Sequence, residues 1–243
     1  MEDKELNLVE HLEELRKRMI ICLLSFIIFF IAGFIYVDDI YKWFAGDAKL
    51  LVLGPSDIMW VYFMLATVVA VTGTIPVLAL QIWLFVKPAL KPIERKITLT
   101  YVPVLFFLFI SGLAFGYFVI FPMVYRLLVN ISQGMFATNF TAERYFSFIM
   151  NMTIPFGILF EIPVVVMFLT ALGIINPFVL AKIRKYAYFV LVLIAVVITP
   201  PDFMSDFVVT LPLFLLYEVS INLSKIVHRK RLKKQQQIEL WEA

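Results

Sequence analysis

Residues 19–37 read MIICLLSFIIFFIAGFIYV, an apolar run without one charged side chain, closed by Asp38 and Asp39. A helix advances about 1.5 Å per residue, so about 20 such residues cross a hydrocarbon core about 30 Å thick. The run is long enough to span a bilayer. The acidic pair that closes it is unlike the small-residue pattern of a cleavage site. It is therefore read as a first transmembrane helix that stays in the membrane.

Working outward, three further stretches reach that length: residues 58–86, 97–125 and 145–172. The first two of these are longer than a crossing needs, so they must tilt, bend or project, and Gly73, Pro76, Pro103 and Pro122 offer places to bend. The last third is less regular. Residues 186–198 and 207–219 are short apolar runs on either side of Thr199-Pro200-Pro201-Asp202, and Pro212 interrupts the second. Basic residues flank the outer end of each, so the pair reads as two short spans joined by a tight outside turn. A re-entrant hairpin is the alternative, and it returns the chain to the same side. The expected fold is all-α: a polytopic membrane protein with six transmembrane helices, the last two short. Residues 1–243 then form a single integral membrane domain, with a cytosolic amphipathic segment at 1–18 and a cytosolic basic tail at 225–243.

Composition supports this. Of 243 residues, 62% are hydrophobic and only 16% charged, where a soluble domain carries about a quarter charged. The charges gather between the apolar runs, and their sign sets the orientation. Segments on the amino-terminal side hold Lys4, Arg16, Lys17 and Arg18; Lys87, Lys91, Arg95 and Lys96; Lys182, Arg184 and Lys185; and six more between Lys225 and Lys234. The opposite side holds only Lys42, Lys49, Arg126 and Arg144. Basic residues stay in the cytoplasm, so both termini are placed inside. Asn7 is positioned to cap the first helix, which then carries an apolar stripe of Leu8, Leu12, Leu15 and Met19.

Several side chains need a reason to be where they are. Glu161 falls deep in the fourth span, where a carboxylate must be neutralised, paired or exposed to a watery recess. Asn151 and Thr153 are candidates for the same polar face. Glu218 lies near the cytosolic end of the sixth span, and Asp202 comes after two prolines on the outer side, placed to cap the last helix or fix the turn. Glu14 and Glu94 sit among cytosolic bases. They either salt-bridge within their own helices or converge to grip a guanidinium in two-point hydrogen bonds. Gly112 and Gly116 form a small-xxx-small patch that permits close helix packing. Cys22 is alone, His11 and His228 lack ligand spacing, and there is no phosphate-binding glycine loop or nucleophile constellation. No cofactor, metal, nucleic-acid site or enzymatic activity is expected. The basic tail is read as an anchor to anionic lipid.

These motifs occur in an order that resembles the TatC family, the multi-spanning receptor subunit of the twin-arginine protein translocase. The sequence His11-Leu12-Glu13-Glu14-Leu15-Arg16-Lys17-Arg18 is similar to the family's amino-terminal element. Phe85-Val86-Lys87-Pro88-Ala89-Leu90 with Glu94-Arg95 is similar to its first inner loop. Phe160-Glu161-Ile162-Pro163, Thr199-Pro200-Pro201-Asp202, Leu211-Pro212 and Tyr217-Glu218 complete the series. The resemblance implies a concave arrangement of helices in a prokaryotic cell membrane. It implies a signal-peptide site at Glu14, Glu94, Phe85 and Arg16 that reads paired arginines on folded export substrates. It also implies intramembrane partner contacts at Glu161, Glu218, Asp202 and Asp206, the last a position where many relatives carry glutamine. The implied partners are TatA-type single-span proteins, further TatC copies and membrane lipid, with transport driven by the proton-motive force. The competing expectation, raised by Glu161, Glu218 and the proline-broken helices, is a proton-coupled secondary transporter.

Overall fold

The structure is a computed structural model that describes residues 8–46, 50–87, 101–132, 140–199 and 203–242. Among these, every regular element is a helix, and a β-bridge pairs Leu51 with Thr141. The chain forms two compact units, Met1–Phe106 with Thr141–Glu143, and Phe107–Phe140 with Arg144–Ala243.

In the first unit, α1 (Leu8–Ile35) joins the amphipathic segment to the first span as one continuous helix. Nothing between Leu8 and Ala32 breaks it, since the stretch holds no proline or glycine. Asn7, the expected cap, lies outside the described residues. A short helix α2 (Val37–Ala45) comes next, with Asp38 and Asp39 in its first turn, where acids complement the helix dipole. The long helix α3 (Pro55–Val86) starts with proline at its first position and runs unbroken past Gly73 and Pro76. The contacts between α1 and α3 show that they run antiparallel. Gly33 faces Ala66 and Val69, and a Cβ on it would lie 2.9 Å from Val69 Cβ and 3.1 Å from Ala66 Cα. Further along the pair, the Phe29 ring lies over Gly73, 2.5 Å from where a Cβ would stand. Phe63 stacks on Phe30 with centroids 6.0 Å apart and lies tilted against Phe34 at 5.8 Å. At the far end the Tyr62 hydroxyl donates to Asp38 Oδ1 at 2.6 Å.

The unit boundary falls within α4 (Tyr101–Phe115), which passes through a π-helical turn (Gly116–Ile120) into α5 (Phe121–Ser132). Next come α6 (Ala142–Leu159), α7 (Ile162–Leu172), α8 (Pro177–Lys182), α9 (Arg184–Ile198) and α10 (Phe203–Glu242). The small-xxx-small patch forms the seam of the second unit. A Cβ on Gly112 would meet the Phe156 carbonyl oxygen at 2.5 Å, and one on Gly116 would meet Thr153 Cα at 2.7 Å. Gly157 answers from α6, covered by the Phe109 ring. Phe109, Phe146 and Phe156 are fully buried around this seam. The helix α7 packs on α10, where Thr170 and Ser224 share a buried hydroxyl–hydroxyl hydrogen bond of 2.7 Å.

Among the described residues, five helical segments are long and apolar enough to cross a membrane: Leu12–Ile35, Pro55–Val86, Val102–Asn130, Ala142–Leu172 and Phe203–Leu232. The protein is thus a multi-pass membrane protein. The sixth expected crossing corresponds to α9, whose 15 residues reach only about 22 Å at the usual rise. The helix α10 continues through the basic residues of the tail to Glu242. No glycine or proline occurs after Pro212, and lysine, glutamine and glutamate are good helix formers.

The glycine seam makes a direct prediction. Gly116→Val should cost about 1–3 kcal/mol, the usual range for overpacking, and lower the midpoint of thermal unfolding in detergent. Gly54→Ala, whose Cβ would meet only Ser56 Oγ at 3.6 Å, should leave that midpoint unchanged. Equal midpoints for both variants would refute the seam.

Candidate functional site

At the amino-terminal end of α1, the i, i+4 spacing places Glu14 and Arg18 on one face of the helix. Arg18 donates to Glu14 Oε1 through Nε at 3.2 Å and also through Nη2. Its third contact leaves the helix: Nη1 donates to Gln81 Oε1 on α3 at 3.2 Å. Gln81 is 8% exposed, and the Arg18 and Glu14 side chains are 18% and 28% exposed. Both bonds to Glu14 end on the same carboxylate oxygen. Arg16 points elsewhere, forming an exposed ion pair with Glu13 at 3.6 Å. One turn beyond Gln81 on α3 comes Phe85, half-buried. Because Gln81 and Phe85 lie four residues apart, they share a helix face, so Arg18 brings Glu14 to the level of the Phe85 turn. Nearby, the Lys87 ammonium lies 5.3 Å from the centre of the Trp83 ring.

In the second unit, Glu161 occupies the break between α6 and α7. Pro163 is one cause of that break, because it has no N–H to offer the carbonyl four residues back. The Glu161 carbonyl accepts from Val164 N and Val165 N at 3.1 and 3.0 Å, which restarts the helix. Its carboxylate is not satisfied in this way. Both Oε1 and Oε2 are buried without a hydrogen-bond partner among the described residues, and so is Thr153 Oγ1. The expected shared polar face does not form, since Asn151 is exposed while Thr153 is buried.

Glu218 is, by contrast, fully engaged. Arg184 Nη2 donates to Oε2 at 2.8 Å, Arg184 Nε pairs with Oε1 at 2.8 Å, and the Tyr188 hydroxyl donates to Oε1 at 2.6 Å. The Tyr188 ring stacks on Phe214, and the Tyr217 hydroxyl donates to the Leu180 carbonyl at 2.9 Å. These contacts clamp α9 to α10 and α10 to α8. At the other end of α9, the Thr199 hydroxyl donates to Asp206 Oδ1, so the first turn of α10 is held to the residue that ends α9.

Comparison with known proteins identifies this architecture. The family model described as Sec-independent protein translocase protein (TatC) matches residues 10–212. The chain belongs to the TatC family. It is 54% identical to the Sec-independent protein translocase protein TatCd of Bacillus subtilis (strain 168), over 97% of this chain and 98% of that one. Identity to the TatCy protein of the same organism is 45%, over 96% and 94%. A crystal structure of the twin-arginine translocase receptor TatC superposes with a TM-score of 0.79 at 30% identity, covering 90% of this chain and 99% of that chain.

Within this TatC chain the residues singled out from sequence fall into three groups. Glu94 and Asp202 lie outside the described residues. Glu14, Arg16 and Phe85 are set by α1 and α3, and Glu161, Asp206 and Glu218 by α6, α7, α9 and α10. Sequence reasoning missed Gln81, Arg184 and Tyr188. The available signal for Gln81 was an amide alone in the apolar second half of a span, which needs a partner. The signal for Arg184 was a base 34 positions from an acid at the same membrane depth, which only the fold pairs.

The Glu218 clamp predicts a non-additive pair of variants. Arg184→Ala should destabilise by about 1–2 kcal/mol, the range for charge-assisted bonds discounted for partial exposure. Arg184→Met combined with Glu218→Gln should cost less than the single change, because no carboxylate is then left without its cation. Thermal unfolding of the purified protein tests this order.

Proposed function

We propose that this chain is the receptor subunit of a twin-arginine protein translocase. It recognises paired-arginine signal peptides of folded export substrates at its cytoplasmic face and organises TatA-type single-span partners and further copies of itself within the membrane. The observation that carries the reading is Glu14, a partly exposed carboxylate at the cytosolic end of the α1–α3 pair whose bonds to Arg18 use only one of its two oxygens. Arginine cannot shed its charge at physiological pH, so a carboxylate with an open lone pair is a fitting receiver. Glu94 is the second acid of the pair, Phe85 supplies apolar surface for the peptide, and Arg16 borders the site.

The orientation rests on the charges. If α9 crosses, the basic end of α10, with Arg229, Lys230 and Arg231, returns to the side of the amino terminus. If it does not, those bases face outward against the usual bias. We therefore read α9 as a short sixth crossing in a locally thinned bilayer, with both termini in the cytoplasm and the chain acting as one integral membrane domain. Glu161 is the contact for a partner helix, because its buried oxygens have no donor in this chain's described residues and an intramembrane carboxylate needs one. Asp202, Asp206 and Glu218 belong to a second contact region, where the clamp on α9 and α10 shapes the surface.

Photocrosslinking to a twin-arginine signal peptide tests the recognition site. Crosslinks near Glu14 and Glu94 should be lost when both acids become alanine or both peptide arginines become lysine, and should weaken as salt rises. Unchanged specific crosslinking across those variants would defeat the assignment. Glu161→Ala should leave peptide crosslinking intact while reducing co-purification of a TatA-type partner and export of a folded reporter. Normal assembly and export would remove Glu161 from the partner contact. Cysteines placed at Lys4 and Gln237 in a Cys22→Ala background should react with an impermeant reagent only from the cytoplasmic side.

A further inference from the structure

Arg18 presents to Glu14 the same chemical group that a substrate arginine would bring. It holds one carboxylate oxygen through two donors, and it is anchored at its far side by Gln81. Gln81 is buried on α3 and 63 positions away in sequence, so the contact is built by the fold and not by local helix spacing. Resting on the recognition reading above, we propose that Arg18 is a resident competitor for the signal peptide and that Gln81 is the acceptor that takes it up. An incoming arginine claims Glu14, and Arg18 swings its hydrogen bonds toward the Gln81 carbonyl.

Three features carry this. A guanidinium as enclosed as Arg18 cannot leave a carboxylate unless another acceptor receives its N–H groups. Gln81 Oε1 is already bonded to Nη1, so the transfer needs only a rotation of the side chain. A carboxylate offers about four lone-pair sites, and with both Arg18 bonds on Oε1 the substrate can enter at Oε2 before Arg18 has left. The amide is neutral and so a weaker acceptor than the carboxylate. Arg18 therefore recovers Glu14 when the peptide departs, and the receptor releases its cargo. Gln81 thus acts as a positioning residue, working through Arg18.

The mechanism predicts opposite signs at one position. Gln81→Glu adds a negative charge where Arg18 now meets an amide oxygen, draws Arg18 off Glu14, and should tighten binding of a twin-arginine signal peptide about tenfold, or about 1.4 kcal/mol. Gln81→Leu removes the acceptor, leaves Arg18 on Glu14 alone, and should weaken binding about tenfold. Arg18→Gln removes the competing charge while still able to donate to Gln81, and should tighten binding. The measurement is the affinity of a fluorescent signal peptide for the purified full-length protein in detergent or nanodiscs, with the twin-lysine peptide in parallel. General electrostatic attraction would tighten both peptides equally with Gln81→Glu, and that result would overturn the proposal. So would weakening by all three variants, which is what damaged packing predicts. Glu14→Gln separates the two levels of argument. If it leaves twin-arginine binding unchanged, the recognition site itself is misplaced. If it abolishes binding while the two Gln81 variants shift affinity in the same direction, only the exchange is wrong.

Discussion

Hydrocarbon offers no hydrogen bonds, so each polar group on a membrane helix must find its partner within the protein, at its own backbone or in another chain. Most of this sequence meets that demand in the least expensive way. Thr67, Thr72, Thr74, Thr170 and Ser220 each donate to the carbonyl four residues back in their own helix. A hydroxyl bonded only in this way is satisfied locally and specifies nothing about tertiary structure. Among the described residues, the groups that reach across helices hold the fold together: Tyr62 to Asp38, Arg18 to Gln81, Thr170 to Ser224, Arg184 and Tyr188 to Glu218, Tyr217 to the Leu180 carbonyl, and Thr199 to Asp206. Close packing accompanies them, through Gly33 and Gly73 in the first unit and Gly112, Gly116 and Gly157 in the second. Helices in lipid associate by contact and hydrogen bonding, since exchanging lipid for leucine gains little.

Against that background Glu161 and Glu218 are informative as a pair. Both are acids in apolar helices, and in sequence they look alike. The fold gives Glu218 a guanidinium and a phenol, so its charge serves to hold α9 to α10. It gives Glu161 no such donor among the described residues, and places it at a helix break made by Pro163. A charged carboxylate without a donor costs several kcal/mol in a low-dielectric setting unless it is neutralised or paired. The difference between the two acids is that Glu218 is paired within the chain, whereas the Glu161 oxygens have no donor among the described residues.

The elements legible in the sequence are those whose signal is one-dimensional. Run length marks the four long apolar helices, because it depends only on what lies along the chain. The ordered motifs point to the TatC family. The features hidden from sequence are those that depend on register between helices. Gln81 meets Arg18 because Gly33 and Gly73 set how α1 lies on α3, and no local feature of residue 81 encodes that alignment. The shared polar face expected for Asn151 and Thr153 fails for a related reason. Two residues apart on a helix is about 200°, so the two side chains cannot share a face. Helix propensity is indifferent to the change of charge after residue 225, so α10 continues through the basic residues.

Length and charge together also explain why α9 can be so short. On the proposed reading of α9 as a crossing, its 15 residues leave several ångströms of mismatch with an average bilayer, at a modest cost per ångström. Here the deficit is shared by contacts at both ends. Arg184 and Tyr188 are tied to Glu218 at one end, and Thr199 is tied to Asp206 at the other. The helix is thus stapled to α10 at its two termini, and its depth is set by α10, which at 40 residues is more than long enough. Between the staples α9 turns Tyr186, Phe189, Leu193 and Val197 outward. Held in this way, α9 has its place against α10 fixed at both of its ends.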